Sequence, residues 1–243
     1  MKAKAPARRR RAPARRGRRS RASRATTAAR AGRILDVLER THPDATCALH
    51  YRTPWELLAA TILSAQCTDE RVNRVTPALF ARYPAPADMA AAAPAEVQEI
   101  IRSTGFFNSK TKSLIGCAKA LVAGHAGEVP RSLDALVKLP GVGRKTASVV
   151  LGHTYGTAEG IAVDTHVLRV SNRLGLAKGE DAGEVEAQLM KLIPRERWIR
   201  TTDLLIFHGR RICDARRPAC GRCPLFGLCG WESRQAWATQ GAP

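Results

Sequence analysis

Residues 139–151, LPGVGRKTASVVL, decide how this chain is read. Two glycines bracket Val142, Arg144 and Lys145 follow, and an apolar run begins. The preceding segment SLDALVKL must stop at Pro140, because the residue before a proline is pushed out of the α region. Gly141 and Gly143 permit a tight turn with positive φ and close backbone approach. A second helix then starts near Arg144. The product is two helices joined by a glycine hairpin. The free N–H groups that open the second helix can hold a phosphate. A Walker A loop is excluded, since it needs a glycine directly before the lysine and Arg144 stands there.

Ala147, Val150 and Leu151 make one stripe of the second helix. Lys145 lies on the other side, near Ser148 and Val149. A cation in the first turn meets the positive end of the helix dipole. Two readings fit Lys145: a solvated surface lysine, or an amine kept neutral by the helix N-terminus and partial burial. The second is a nucleophile able to form a Schiff base with a sugar aldehyde carbon. Downstream, VDTHVLRV places Asp164 after an apolar stretch and before an amphipathic helix. It reads as an N-cap, or as a charged catalytic group at the mouth of a cleft.

Outward from the hairpin, the body is helix after helix. TPWELLAATILSAQ follows Thr53 as N-cap, with Pro54 at the first helical position and Glu56 completing a capping box. PADMAAAAPAEVQEIIRSTG and NSKTKSLIGCAKALVAGHAG each read as a helix stopped by glycine. Alternating β-branched stretches with hairpin turns are missing, and only GIAV at 160–163 resembles a strand. The expected fold class is all-α.

Cys213, Cys220, Cys223 and Cys229 follow the spacing C-x6-C-x2-C-x5-C, with Pro218, Gly221, Pro224 and Gly227 in the gaps. Such a loop wraps thiolates around one centre. In an intracellular protein it reads as a metal site before it reads as two disulfides. The spacing itself leaves zinc and a [4Fe–4S] cluster both open. Arg216, Arg217 and Arg222 stud the same loop, as a phosphate-contact surface or as ordinary solvated charge. Cys47, Cys67 and Cys117 are scattered among apolar residues and read as small core residues.

The formal net charge of the 243 residues is +19, unevenly spread. Residues 1–33 hold fourteen of the 40 Lys/Arg and none of the 21 Asp/Glu, so the remainder carries 26 basic and 21 acidic residues. The arm has no Leu, Ile, Val, Phe, Tyr or Trp. It cannot bury enough apolar surface to offset its ordering entropy and reads as disordered. Its charge adds salt-dependent attraction to phosphate backbones. It lacks the amphipathic face of a transit peptide, and no apolar run suits a signal peptide or a bilayer span. A soluble, intracellular protein is expected.

LPGVGRKTA, the downstream VDTH and the four-cysteine loop, in that order, resemble the endonuclease III family, the bifunctional branch of the helix-hairpin-helix DNA glycosylases. The resemblance runs from about residue 33 to residue 231. It implies two helical domains with a DNA-binding cleft between them. The six-helix domain would span 47–157, and an iron–sulfur domain would combine 33–46 with 158–231. Residues 1–32 would be a disordered basic arm and 232–243 a tail. It implies Lys145 as nucleophile, Asp164 as the essential carboxylate, and a [4Fe–4S] cluster on Cys213, Cys220, Cys223 and Cys229.

LSAQCTD places Gln66 where a side chain fills the gap left by an extruded base. GFFNSK places Phe106 as a wedge, and His166 matches a DNA-contacting position. Gly141, Gly143 and Arg144 would hold phosphate, joined by Arg216 and Arg217. Where the family often has Asn after RKTA, this chain has Ser148. The implied activity is removal of oxidised pyrimidines, such as thymine glycol, from damaged double-stranded DNA, followed by β-elimination at the abasic site. A monomer in the cytoplasm, at the nucleoid, is expected. The sister adenine-mismatch glycosylases lack the hairpin lysine. A non-catalytic DNA-binding module would have no use for Lys145 and Asp164 together.

Overall fold

The structure is a computed structural model that describes residues 16–240. Among these residues there is no strand; GIAV is buried, irregular chain. The order is α1 (Arg16–Thr41), α2 (Pro54–Leu63), α3 (Asp69–Arg82), α4 (Pro86–Ala90), α5 (Pro94–Ile101), α6 (Phe107–His125) and α7 (Leu133–Leu136). Then come α8 (Arg144–Tyr155), α9 (Thr165–Leu174), α10 (Ala182–Leu192), α11 (Trp198–Arg211) and α12 (Arg234–Gln240).

Buried apolar side chains form two clusters. One runs from Leu49 to Leu151 and joins α2, α3, α5, α6 and α8. The other joins α1 to α9, α10, α11 and the cysteine loop. The stripe Ala147, Val150 and Leu151 belongs to the first. So α8 turns its back on its own core and presents Lys145 at the seam between the two.

Several local expectations change. The arm is not disordered throughout: residues 16–32 lie within α1, and residues 1–15 fall outside the described residues. Ala31, Ile34, Leu35 and Leu38 are buried. Each buried Ile or Leu contributes about 1.5–3 kcal/mol, enough to hold a helix that starts well before residue 33. Arg30 adds bonds to the carbonyls of Leu174 and, at 2.7 Å, Leu228. The single helix expected from residue 86 to the glycine at 105 is split into α4 and α5, because Pro94 has no N–H to donate and pushes its predecessor out of the α region. Thr53 does cap α2, accepting from Glu56 N at 3.1 Å. Glu56 does not close the box on Thr53; its carboxylate takes Arg52 N at 2.6 Å and the Arg52 guanidinium.

In the hairpin only Gly141 has positive φ, at 77°. Gly143 is the N-cap of α8 with φ −87°, a conformation open to any residue. A Cβ on Gly141 would lie 2.6 Å from the Ser113 Cβ on α6. Gly141→Ala should therefore cost about 1–3 kcal/mol from backbone strain alone, read as a lower urea midpoint, and should weaken duplex binding. An unchanged midpoint would remove the reason for glycine at this place.

Candidate DNA-processing cleft and cysteine cavity

The cleft forms where α8, α9 and α11 meet the start of α3. Its outer part is an open hollow of about 440 Å³ lined by Gln66, Asp69, Lys145, Asp164, His166 and Arg210, among others. A recess continues inward past Lys145 and Asp164 to His153 and Asp203. Four of the residues singled out from sequence thus share one wall system: Lys145, Asp164, Gln66 and His166.

Lys145 is exposed, so the partial burial expected for it is absent in the free protein. It stands in the first turn of α8, whose N-cap offers no side-chain acceptor. Asp164 is half-buried and caps α9: its Oδ1 accepts from Val167 N at 2.8 Å. One carboxylate oxygen is committed to the helix while the group still lines the cleft. His166 sits two residues on, its Nδ1 3.1 Å from Arg169 Nη2. Burial holds its imidazole below the ordinary value, against the pull of Asp164. Gln66 is exposed, with φ 52°. A non-glycine residue in the left-handed region is uncommon and clusters at ligand-contacting sites.

Other residues lie elsewhere. Phe106 is 66% exposed, has φ 49° and precedes α6; it does not line the cleft. The Arg144 guanidinium, expected to meet phosphate, pairs with Glu186 on α10 at 3.1 and 3.3 Å in the DNA-free protein. Arg216 and Arg217 are exposed on the cysteine loop. Their backbone N–H groups each donate to Asp214 Oδ1 at 2.8 Å, which holds that carboxyl below its usual value.

Two pairs escaped the sequence. Arg210 on α11 bridges to Asp69 at the start of α3 at 2.6 Å, across the cleft mouth. His153 on α8 bonds Asp203 on α11 at 3.2 Å, at the floor of the recess. Lys145, Val149 and His153 follow one another at four-residue spacing on the cleft face of α8. That periodicity was the available signal for His153, whereas nothing local pairs Asp69 with Arg210. Asp203→Ala should leave the His153 ring nitrogen buried without its acceptor and cost about 1–3 kcal/mol. A urea unfolding curve matching the wild type would dismiss that bond as structural.

The cysteines line a second, smaller cavity, together with Leu174, His208, Phe226, Trp231 and Arg234. The loop winds by successive three-residue turns: Cys223 N bonds Cys220 O, Phe226 N bonds Cys223 O, and Cys229 N bonds Phe226 O. Side chains at i and i+3 of such turns lie one above another, which brings Cys220, Cys223 and Cys229 to one side; Cys213 joins them from just past the end of α11. All four thiols line this one cavity, the donor set that a [4Fe–4S] cluster takes. Burial pushes the thiols of Cys220, Cys223 and Cys229 up, Cys223 to about 11. Their ionisation therefore needs a metal charge beside them. Cys117, outside the loop, is buried and pushed up to about 12, an inert core thiol.

A helix–glycine hairpin–helix beside a lysine–aspartate cleft defines a helix-hairpin-helix base excision repair protein, and the HhH-GPD superfamily base excision DNA repair model matches residues 59–195. The iron-sulfur binding domain of endonuclease III matches residues 213–229. The chain belongs to the endonuclease III family. It is 53% identical to endonuclease III of Synechocystis over 196 residues, covering 81% of this chain and 90% of the relative. It is 42% identical to that of Escherichia coli K12, covering 83% and 95%. A solved non-covalent endonuclease III–DNA complex superposes with TM-score 0.81 at 45% identity, covering 86% of this chain and 98% of that one. A trapped endonuclease III–DNA covalent intermediate gives the same figures. A [4Fe–4S] cluster is the cofactor.

Proposed function

We infer that this chain is a base-excision DNA glycosylase with abasic-site lyase activity, acting on oxidised pyrimidines in duplex DNA. The observation that carries the reading is Lys145 and Asp164 lining one cleft at the seam of the two cores. The seam also supports the proposed division into a six-helix domain and an iron–sulfur domain, with the boundary of the latter moved back into α1.

A base inside a duplex is unreachable, so the nucleotide must be extruded, at a cost of a few kcal/mol. Gln66, exposed and in left-handed backbone on the cleft wall, would be the gap-filler; Phe106, exposed and in left-handed backbone away from that wall, would be the wedge. The open N-terminus of α8 binds phosphate. DNA closing over Lys145 strips its water and brings the sugar to its amine. Lys145 Nζ attacks C1′ and the damaged base leaves. Asp164 stabilises the cationic sugar and takes the lysine proton. The resulting Schiff base acidifies the 2′ proton, and β-elimination breaks the strand on the 3′ side. When bound at the four cysteines, the [4Fe–4S] cluster supplies structural rigidity to the DNA-docking loop of Arg216 and Arg217.

The protein would act as a monomer at the nucleoid. No helix among the described residues is long and apolar enough to cross a membrane. The test is an oligonucleotide carrying thymine glycol: base release with strand cleavage is expected. Base release without cleavage would mean a water nucleophile, and tight binding with neither would mean a binding module. Removing residues 1–15, which hold seven Lys/Arg, should weaken binding at low salt and flatten the salt dependence; an unchanged salt slope would show that the arm does not touch DNA.

A further inference from the structure

The segment after Cys229 lies beyond the iron–sulfur family match, which ends there. It is not a loose tail. α12 packs on the three-residue turn of Cys220–Arg222, and a Cβ on Gly221 would sit 3.1 Å from the Ala238 carbonyl oxygen. Trp231 and Arg234 both line the cysteine cavity. The two side chains are braced from each side: the Arg173 guanidinium lies 4.1 Å from the Trp231 ring centre, and that of Arg234 lies 5.7 Å from the Phe226 ring centre.

The hydrogen bonding of these arginines differs in one atom. Arg173 Nη1 approaches Cys213 Sγ at 3.4 Å and also has the Asp214 carbonyl at 2.6 Å. Arg234 Nη1 donates to the Trp231 carbonyl at 2.9 Å. Arg234 Nε, however, is buried and meets no acceptor among the described residues. A buried guanidinium N–H without an acceptor is costly. Four thiolates and their inorganic sulfides are an anionic acceptor surface, and they belong in this cavity.

We propose that Arg234 donates from Nε to a sulfur of the [4Fe–4S] cluster, and that the segment from Trp231 through α12 is the cover that holds it there and keeps water and oxidants out. The proposal rests on the cluster occupying the four-cysteine cavity. A positive donor at cluster sulfur stabilises the form with the extra electron, so it raises the reduction potential. The cover is this chain's own device, built from residues outside the ligand loop.

The experiment uses the full-length holoprotein. Iron and sulfide content of the wild type comes first; a protein that binds no cluster refutes the cofactor assignment rather than this proposal. Voltammetry is then run on wild type, Arg234→Leu and Arg234→Lys. The leucine variant should shift to a more negative potential, and lysine should restore part of the shift. A merely structural role for Arg234 would not give that order. In parallel, loss of the visible cluster absorbance under ferricyanide is timed for wild type and Trp231→Ala, which should bleach several-fold faster. A leucine variant at the wild-type potential overturns the donor. A Trp231→Ala protein bleaching at the wild-type rate overturns the cover.

Discussion

Lys145→Gln should abolish the covalent protein–DNA band that borohydride traps on a thymine glycol duplex, and strand cleavage with it. The wild type should give the band. The substitution keeps an extended, good helix-forming side chain in the first turn of α8 and removes only the amine. Lys145 is exposed, and exposed substitutions of this kind change stability by less than about 0.5 kcal/mol. DNA affinity should fall only by the loss of one charge. A clean separation of binding from chemistry is therefore expected, and it answers why a lysine stands at a helix N-terminus. The position sets the amine at the phosphate-binding end of α8, on the cleft wall shared with Asp164. A surviving trapped band would move the nucleophile elsewhere, and a variant that neither binds nor melts normally would point to a structural lysine.

Asp164→Asn should lower base release by about 10²- to 10⁴-fold, the range for a group that moves or balances a proton in the transition state. The choice of asparagine matters. Asp164 caps α9 through Oδ1, and asparagine caps a helix about as well as aspartate, whereas alanine costs about 0.5–2 kcal/mol. Asp164→Asn thus removes the charge and keeps the cap. If Asp164→Asn retains full activity, or if Asp164→Ala and Asp164→Asn lose activity only in proportion to stability, Asp164 is a cap and nothing more. His166, neutral and bonded to Arg169, then becomes the group to test.

Much of this was legible in the chain itself because its signals are local. A proline followed by a glycine fixes where one helix stops and the next begins, whatever surrounds them. An aspartate before an amphipathic run is a cap in any context. Cys220, Cys223 and Cys229 fall at multiples of three residues, so three-residue turns stack their side chains before any packing occurs. These are consequences of backbone sterics within a few residues, so Lys145, Asp164 and the four cysteines stood out as candidates in the sequence, while their roles came from the resemblance to the endonuclease III family.

What required the tertiary structure lies across the seam. Arg210 and Asp69 are far apart in sequence and meet only because the fold brings the end of α11 to the start of α3. His153 and Asp203 join the two cores in the same way. Arg144 looked free until α10 brought Glu186 to it. The arm was misread from residue 16 onward because composition shows what a segment can bury alone, not what another element offers it. α1 is held by the second core and by Arg30 reaching Leu174 and Leu228. Arg234, five residues past the last cysteine, carries no local signal at all; only the fold brings it to the lining of the cysteine cavity. Chain-local sterics determined the hairpin, the caps and the ligand loop, while contacts between distant helices decided which charges are paired, which lysine faces the cleft, and what covers the cluster.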